Sequence, residues 1–433
     1  MSEFRFPNHF LWGTATAAHQ VEGQNENNNW AAWEKLPGKI YLGQKAGLAC
    51  DWWGGRWQED LERASQGGQN AHRFSVEWSR VQPAPDRWDD AALDVYRKMA
   101  QTMLERGIKP MITLHHFTEP LWFTERGGWE AEEGPRLFET FVRRVVHALK
   151  DFTDLWITLN EPNGYAIFGY VFGTFPPGRI DIGACFRVMA NLLRAHALAY
   201  RAIHELQPEA KAGLAYSYRP FRAARWWMLP DWIAAKFSNH QYNEAFFTPL
   251  VNGQFNFMLR RVIMPELVGT QDFLGLNYYS MDDMLFSPFS GRMFMDRRYP
   301  KNAQLSDTGF IANIPEGMFL SLKWANRFHL PIYITENGVE DCADTLRPRY
   351  IVEHVLQVWR ALQLGIPILG YFYWSLTDNF EWERGWKQGF GLWGLDQDTQ
   401  ERIWRPSVDV YARICLANAL PQDLLDQYSI SPA

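Results

Sequence analysis

The chain of 433 residues is poor in cysteine and carries no excess of positive charge. Its four cysteines, Cys50, Cys185, Cys342 and Cys415, lie far apart and form no C-x-x-C pair. This spacing is typical of reduced thiols, so we expect neither a disulfide framework nor a zinc site. The formal net charge of −6 argues against nucleic acid as the main partner, because a nucleic-acid backbone requires a basic face.

Long hydrophobic runs are missing as well. Residues 10–18 are apolar and end in small side chains, but their only strongly hydrophobic stretch is the tripeptide at residues 10–12. That stretch is too short for the core of a signal peptide, and nothing elsewhere approaches the length of a transmembrane helix. We therefore expect a soluble cytoplasmic protein with no membrane partner, and we expect no cofactor and no metal.

Aromatic residues, in contrast, are abundant. The 21 Trp, 17 Tyr and 29 Phe make up 15% of the chain. Most of these rings are expected to fill a large core, which a chain of this size can bury without disulfides. Flat rings also stack against the apolar C–H faces of sugars, so the excess favours carbohydrate binding as well.

A short apolar run followed by a helical pattern recurs along the whole chain. The runs predict strands at residues 10–16, 70–75, 109–114, 155–160, 211–216, 273–279, 332–336 and 368–374. Runs of this length, rich in β-branched and aromatic residues, are typical of buried parallel strands. Amphipathic helices between them are predicted after Asp89 and Asp90, after Pro135 and over residues 350–364.

Strands that alternate with helices in this way predict a single-domain (β/α)8 TIM barrel over residues 1–433. The segments at residues 23–50, 217–240 and 280–315 predict long, irregular βα loops that form the active-site face. A doubly wound open sheet is the alternative from periodicity alone. Its nucleotide-binding version is disfavoured because no Gly-rich phosphate loop follows the first strand.

Polar side chains concentrate where the predicted strands end, and in a barrel these ends face one mouth. Glu161 and Glu336 each end an apolar strand beside an asparagine, and Arg73 lies near the end of the second strand. One strand-end glutamate is most simply a solvated surface residue, but two in the same setting favour catalysis. A retaining glycosidase needs a protonated and an ionised carboxyl roughly 5–5.5 Å apart. Arg73 would keep one of them ionised, and that charge would raise the pKa of the other.

Five motifs resemble those of glycoside hydrolase family 1, the β-glucosidase family. They are FLWGTATAAHQVEG at residues 10–23, TLNEPN at 158–163, FLGLNYY at 273–279, ITENG at 334–338 and YWSLTDNFEW at 373–382. The motifs occur in the family's order, and the resemblance spans residues 6–411. It implies a (β/α)8 barrel and a retaining β-glycosidase that works by double displacement.

The resemblance also implies a role for each matching residue. Glu161 would be the general acid/base and Glu336 the nucleophile. The side chains that would hold the sugar are Gln20, His116, Asn160, Trp374, Glu381 and Trp382. Those that would support the nucleophile are Arg73, Asn277 and Tyr279. The peptide bond between Trp374 and Ser375 would be cis.

Two positions sharpen the expected specificity. Glu381 stands where the 6-phosphoglycosidases of this fold carry a small serine, and its charge would repel a phosphate. Phe117 stands where relatives commonly carry tryptophan, so the aromatic wall of the site is expected to differ. We therefore expect an unphosphorylated sugar.

The expected activity is hydrolysis of terminal non-reducing β-D-glucosyl residues, with overlapping β-galactosidase and β-fucosidase activity. The expected partners are small β-glycosides or cello-oligosaccharides. One alternative is an enzyme of the same family that mainly transglycosylates. The other is a carbohydrate-binding pseudoenzyme, which would require the loss of a catalytic carboxylate. The sequence pattern favours neither a monomer nor a homo-oligomer.

Overall fold

The computed structural model describes residues 4–290 and 295–431. Within this part of the chain, eight parallel strands close a barrel in sequence order. They are β1 Leu11–Ala15, β2 Ala71–Ser75, β3 Lys109–Thr113, β4 Leu155–Asn160, β5 Lys211–Ser217, β6 Phe273–Asn277, β7 Ile332–Asn337 and β8 Ile368–Trp374. The last strand closes the barrel on the first, with Gly370 opposite Leu11. The predicted (β/α)8 barrel is therefore confirmed, and the doubly wound sheet is excluded.

The apolar runs form strands because both faces of the sheet are covered. Every residue of β2, β4, β6 and β7 is buried. Such strands place one set of side chains inside the barrel and the other against the surrounding helices. The polar residues at their carboxyl ends are thus carried on a rigid frame, and all of them face the same mouth.

Eight main helices follow the strands in turn within the described residues. They are α1 Trp57–Gln66, α2 Asp90–Glu105, α3 Gly134–Leu149, α4 Ile182–Leu206, α5 Leu229–Ser238, α6 Pro315–Asn326, α7 Arg347–Gln363 and α8 Pro406–Ala417. The Asp89 side chain caps α2 by accepting a hydrogen bond from the Ala92 amide. The three predicted helices are confirmed to within three residues of their bounds. None of the described helices is long and apolar enough to cross a bilayer.

The long βα loops are present where predicted, but they are not irregular. The loop after β5 contributes the strand Phe221–Ala223, which pairs with Asp282–Phe286 from the loop after β6. A further strand, Met295–Arg298, extends this small sheet. The prediction of irregular loops is wrong here because these strands pair across two loops, a contact that periodicity within one loop cannot reveal.

A second small structure in the loop after β6 is a hairpin formed by Gln304–Leu305 and Ala312–Asn313. We call residues 304–313 the rim hairpin. Because it leaves the carboxyl end of β6, it lies on the face of the barrel that carries the mouth.

Candidate active site

Glu161 directly follows β4 and begins the short helix Pro162–Ile167. Its backbone adopts the left-handed conformation, with φ of 42°. Its amide donates a hydrogen bond of 2.7 Å to the carbonyl oxygen of Ala215 on β5. A left-handed non-glycine residue costs about 1–3 kcal/mol and tends to persist at functional sites. This backbone turn places the half-buried Glu161 side chain at the mouth.

Glu336 lies within β7 and is 4% exposed. Arg73 on β2 donates from Nη1 to its Oε1 at 2.7 Å, and Tyr279 donates from its hydroxyl to Oε2 at 2.7 Å. The Arg73 side chain is itself held by Thr113, whose Oγ1 accepts from Nε at 3.0 Å. Both oxygens of Glu336 are therefore held, one by a cation and one by a phenol.

Asn277 at the end of β6 connects the two carboxyls. Its Nδ2 donates to Glu161 Oε1 at 3.0 Å and to Asn160 Oδ1 at 3.1 Å. The hydroxyl of Thr335, the neighbour of Glu336 on β7, donates to Asn277 Oδ1 at 2.6 Å. Because that oxygen is occupied, the amide nitrogen is turned towards Glu161.

Asn160 extends the same network towards the wall of the site. Its Oδ1 accepts from Arg73 Nη2 at 2.5 Å. Its Nδ2 lies 3.0 Å from His116 Nε2. One connected polar cluster thus forms at the mouth. It joins side chains from β2, β4 and β6 to Glu336 of β7 and to His116 beyond the end of β3.

The two carboxyls differ electrostatically. Burial and then the negative charge of Glu336 raise the pKa of Glu161 to about 8. Burial also raises the pKa of Glu336, but Arg73, Tyr279 and Asn277 act against this shift. Negative charge is therefore favoured on Glu336, and the proton is favoured on Glu161 at neutral pH.

Gln20 and His116 carry buried polar atoms with no partner among the described residues, namely Gln20 Oε1 and His116 Nδ1. Gln20 Nε2 donates to Asn379 Oδ1 at 2.9 Å and to the Phe380 carbonyl at 2.8 Å, which orients the amide. Burial lowers the pKa of His116 well below its ordinary value, so the ring is neutral. Since its Nε2 accepts from Asn160, its Nδ1 carries the hydrogen. One free acceptor and one free donor match the requirements of a sugar hydroxyl.

Trp374, Glu381 and Trp382 form another wall of the site. Trp374 Nε1 donates to Glu381 Oε1 at 3.0 Å. The rings of Trp382 and His116 lie 6.0 Å apart at an angle of 23°, and Phe117 packs at 5.1 Å from Trp382. The peptide bond between Trp374 and Ser375 is cis, as the resemblance implies.

Close contact between β7 and β8 sets the position of Trp374. A Cβ atom at Gly338 would lie 2.0 Å from the carbonyl oxygen of Trp374. Only glycine allows this approach, which brings the strand with Glu336 next to the ring proposed to stack under the sugar.

The structure brings the sequence-predicted site residues together at one mouth. The hydrogen-bonded cluster contains Arg73, His116, Asn160, Glu161, Asn277, Tyr279 and Glu336. The ring of Trp374 links it to the rest of the set, since it lies 5.8 Å from His116. Gln20 joins through the segment 379–380, which precedes Glu381.

Sequence reasoning missed the residues that orient this set. Thr113 and Thr335 hold Arg73 and Asn277, and both are strand-end hydroxyls that the strand assignment could have indicated. Ser217 counters the raised pKa of Glu161 through a hydrogen bond and lies 2.9 Å from the Tyr242 hydroxyl. Tyr242 lies in the helical turn Asn239–Glu244 that directly follows α5, where no sequence signal marks it.

A (β/α)8 barrel whose mouth holds two neighbouring carboxyls and buried polar atoms without partners is typical of glycoside hydrolases. Glycosyl hydrolase family 1 matches residues 2–420 of the chain. The chain belongs to this family, and it is a hydrolase of O-glycosides.

Known proteins of the same kind cover nearly the whole chain. Beta-glucosidase A of Thermotoga maritima is 34% identical over 97% of this chain and 100% of its own length. A beta-galactosidase of Saccharolobus solfataricus is 29% identical over 99% of both chains. The solved structure of the Thermotoga maritima beta-glucosidase in complex with glucoimidazole superposes with a TM-score of 0.91 at 33% identity. It covers 96% of this chain and 99% of that one.

Proposed function

We propose that the protein is a retaining β-glycosidase in which Glu336 is the nucleophile and Glu161 the general acid/base. The observation that carries this assignment is the asymmetry of the two carboxyls. Arg73 and Tyr279 hold Glu336 as an anion, at 2.7 Å each, whereas Glu161 has a pKa raised to about 8. An ionised nucleophile beside a protonated acid is what the first half of a double displacement requires.

In that first half, Glu161 gives its proton to the oxygen of the leaving group while Glu336 attacks the anomeric carbon. Esterification removes the negative charge of Glu336, and with it one cause of the raised pKa of Glu161. The pKa of Glu161 then falls, and the carboxylate takes a proton from the incoming water. The same side chain thus serves as acid in one half and as base in the other.

The remaining predicted residues are proposed to bind the sugar in front of these carboxyls. Gln20 Oε1 and His116 Nδ1 supply an acceptor and a donor to its hydroxyls. Asn160 would contact the hydroxyl at C2, where hydrogen bonds strengthen in the transition state. Trp374 would stack under the ring, and Glu381 with Trp382 would hold the far hydroxyls.

β-D-glucosides are the proposed substrates, with cello-oligosaccharides as natural examples and β-galactosides and β-fucosides as further ones. The names of the relatives support this range, since one is a beta-glucosidase and another a beta-galactosidase. The buried side chain of Glu381 supports an unphosphorylated sugar, because it fills the place where a smaller residue would leave room for a phosphate. We propose hydrolysis rather than transfer to a second sugar as the main activity, which the names of the family and of these relatives support.

We further propose that the chain works as one catalytic domain, because the site draws on β2, β4, β6 and β7 and on loops after β1, β3 and β8. A cytoplasmic location is proposed because all four cysteines are free.

Proton NMR during early turnover of an aryl β-D-glucoside tests the proposal. Double displacement releases glucose first as the β-anomer, and the α-anomer appears only later by mutarotation. Release of the α-anomer from the start would show a single displacement and would exclude a nucleophile. A parallel series of β-galactoside, β-fucoside and β-glucoside 6-phosphate ranks the sugars, and the phosphate is expected to be the poorest substrate.

A further inference from the structure

Glu340 lies four residues beyond Glu336, in the loop after β7, and is 1% exposed. Its Oε1 accepts three hydrogen bonds from the tip of the rim hairpin. The donors are the Ser306 hydroxyl, the Thr308 hydroxyl at 2.8 Å and the Phe310 amide at 3.2 Å. Its Oε2 has no partner among the described residues. A buried carboxylate that collects donors in this way fixes the segment that supplies them.

The tip of the rim hairpin is also tied to the loop that carries Glu381. Gln388 Nε2 donates to the Thr308 hydroxyl at 3.0 Å. The guanidinium of Arg384 lies over the ring of Phe310, 4.8 Å from its centre. Arg384 ends the short turn Trp382–Arg384, and its amide donates to the carbonyl of Glu381 at 2.9 Å. Glu340 is therefore connected to Glu381 through the hairpin tip and this turn.

Glu340 also acts on Glu381 directly through its charge. Burial is the main reason that the pKa of Glu381 lies well above its ordinary value, and Glu340 is among the negative groups that add to the shift.

We propose that Glu340 is a positioning residue that sets the selectivity for the hydroxymethyl group at C6 of the sugar. It does so by holding the rim hairpin, and through it the turn that carries Glu381, in one place. This inference rests on the proposed function, in which Glu381 binds the hydroxyls far from the bond that is cleaved. Glu340 itself does not touch the reacting atoms.

If Glu340 has this role, its substitution should affect two sugars to different extents. A β-D-glucoside has the C6 hydroxymethyl group that Glu381 would hold, whereas a β-D-xyloside lacks it. Displacement of Glu381 should therefore weaken binding of the glucoside more than binding of the xyloside. Loss of one hydrogen bond corresponds to about a five- to tenfold effect.

Glu340→Gln is the test variant, since it keeps the size of the side chain and removes its charge. Glu353→Gln is the matched control. Glu353 Oε2 accepts from Asn313 Nδ2 at 2.6 Å and so ties down the base of the same hairpin, on α7. Steady-state kinetics with 4-nitrophenyl β-D-glucoside and β-D-xyloside are measured for wild type and both variants, with thermal unfolding as a check on folding.

For Glu340→Gln we expect KM for the glucoside to rise about five- to tenfold with kcat changed less than about twofold. kcat/KM for the xyloside should fall several-fold less than kcat/KM for the glucoside, and Glu353→Gln should change neither sugar. Equal losses on both sugars, the same loss in both variants, or no change in Glu340→Gln would each overturn the proposal. If Glu340→Gln does not fold, Thr308→Val replaces it as the test, because it removes one hydrogen bond to Glu340. In Thr308→Val, KM for the glucoside must again rise more than KM for the xyloside, by a smaller factor. A wild-type enzyme that cleaves neither glycoside would instead refute the proposed function.

Discussion

Glu336 and Glu161 have the same side chain and lie at the same mouth, yet their surroundings differ. Glu336 sits inside β7, where Arg73 and Tyr279 occupy both of its oxygens. Glu161 sits just beyond β4 on a left-handed backbone, is half-buried, and receives the Asn277 amide on one oxygen. A carboxyl held by a cation is stabilised as an anion, and a carboxyl facing that anion is stabilised as an acid. The different proposed roles of Glu336 and Glu161 therefore follow from the neighbours of each residue.

Removal of the proposed nucleophile should have the largest effect on activity. Glu336→Gly should lower kcat/KM for an aryl β-D-glucoside by roughly four to six orders of magnitude, because it removes the carboxylate that is proposed to form the covalent intermediate. Far-UV circular dichroism should show an unchanged fold. A loss smaller than that caused by removing Glu161 would reverse the two assignments.

Removal of the acid should have an effect that depends on the leaving group. Glu161→Ala should lower kcat/KM by about 10²- to 10⁴-fold for a methyl or cellobiosyl substrate, because the departing oxygen needs a proton. For a dinitrophenyl glucoside, whose leaving group is stable as an anion, the loss should be less than about tenfold. Equal losses on both substrates would contradict the role of Glu161.

The pH dependence of kcat/KM should also differ between the wild type and Glu161→Ala. In the wild type, kcat/KM should fall as the pH rises through about 8, since Glu161 then loses the proton that it must donate. In Glu161→Ala, assayed with the dinitrophenyl glucoside, this alkaline fall should be absent. An unchanged alkaline fall would assign it to another group.

The smallest expected effect comes from one hydrogen bond to the nucleophile. Tyr279→Phe removes the donor to Glu336 Oε2, which destabilises the carboxylate and raises its pKa. The acid limb of kcat/KM should move to higher pH by about one unit, with about a tenfold loss of activity. Tyr278→Phe is the matched control, because the Tyr278 hydroxyl donates to the Ile314 carbonyl at 2.7 Å instead. It should leave the acid limb in place.

The barrel was predictable because its strands are covered on both faces and so read as apolar runs. The predicted runs and the eight strands agree to within two residues at each end. The positions of Glu161, Glu336 and Arg73 follow from the same pattern, since a barrel gathers its strand ends at one face. Their chemical roles needed the family resemblance, because periodicity does not distinguish acid from nucleophile.

The loops show where prediction from sequence ends. The pairing of Phe221–Ala223 with Asp282–Phe286 joins two segments that are distant in sequence. Each segment is too short for its hydrophobic pattern to predict a strand. The rim hairpin is likewise fixed by tertiary contacts, above all those to Glu340. Tyr242, which lies beside Ser217 at the end of β5, reaches the site for the same reason. Contacts of this kind depend on the folded barrel rather than on local pattern.

The most direct test of Glu336 as the nucleophile is chemical rescue of Glu336→Gly with azide. Azide should restore turnover of an activated β-D-glucoside by entering the space that the nucleophile leaves and attacking the anomeric carbon from that side. The expected product is α-D-glucosyl azide. Formation of β-D-glucosyl azide, or no rescue at all, would contradict the assignment of Glu336 as nucleophile.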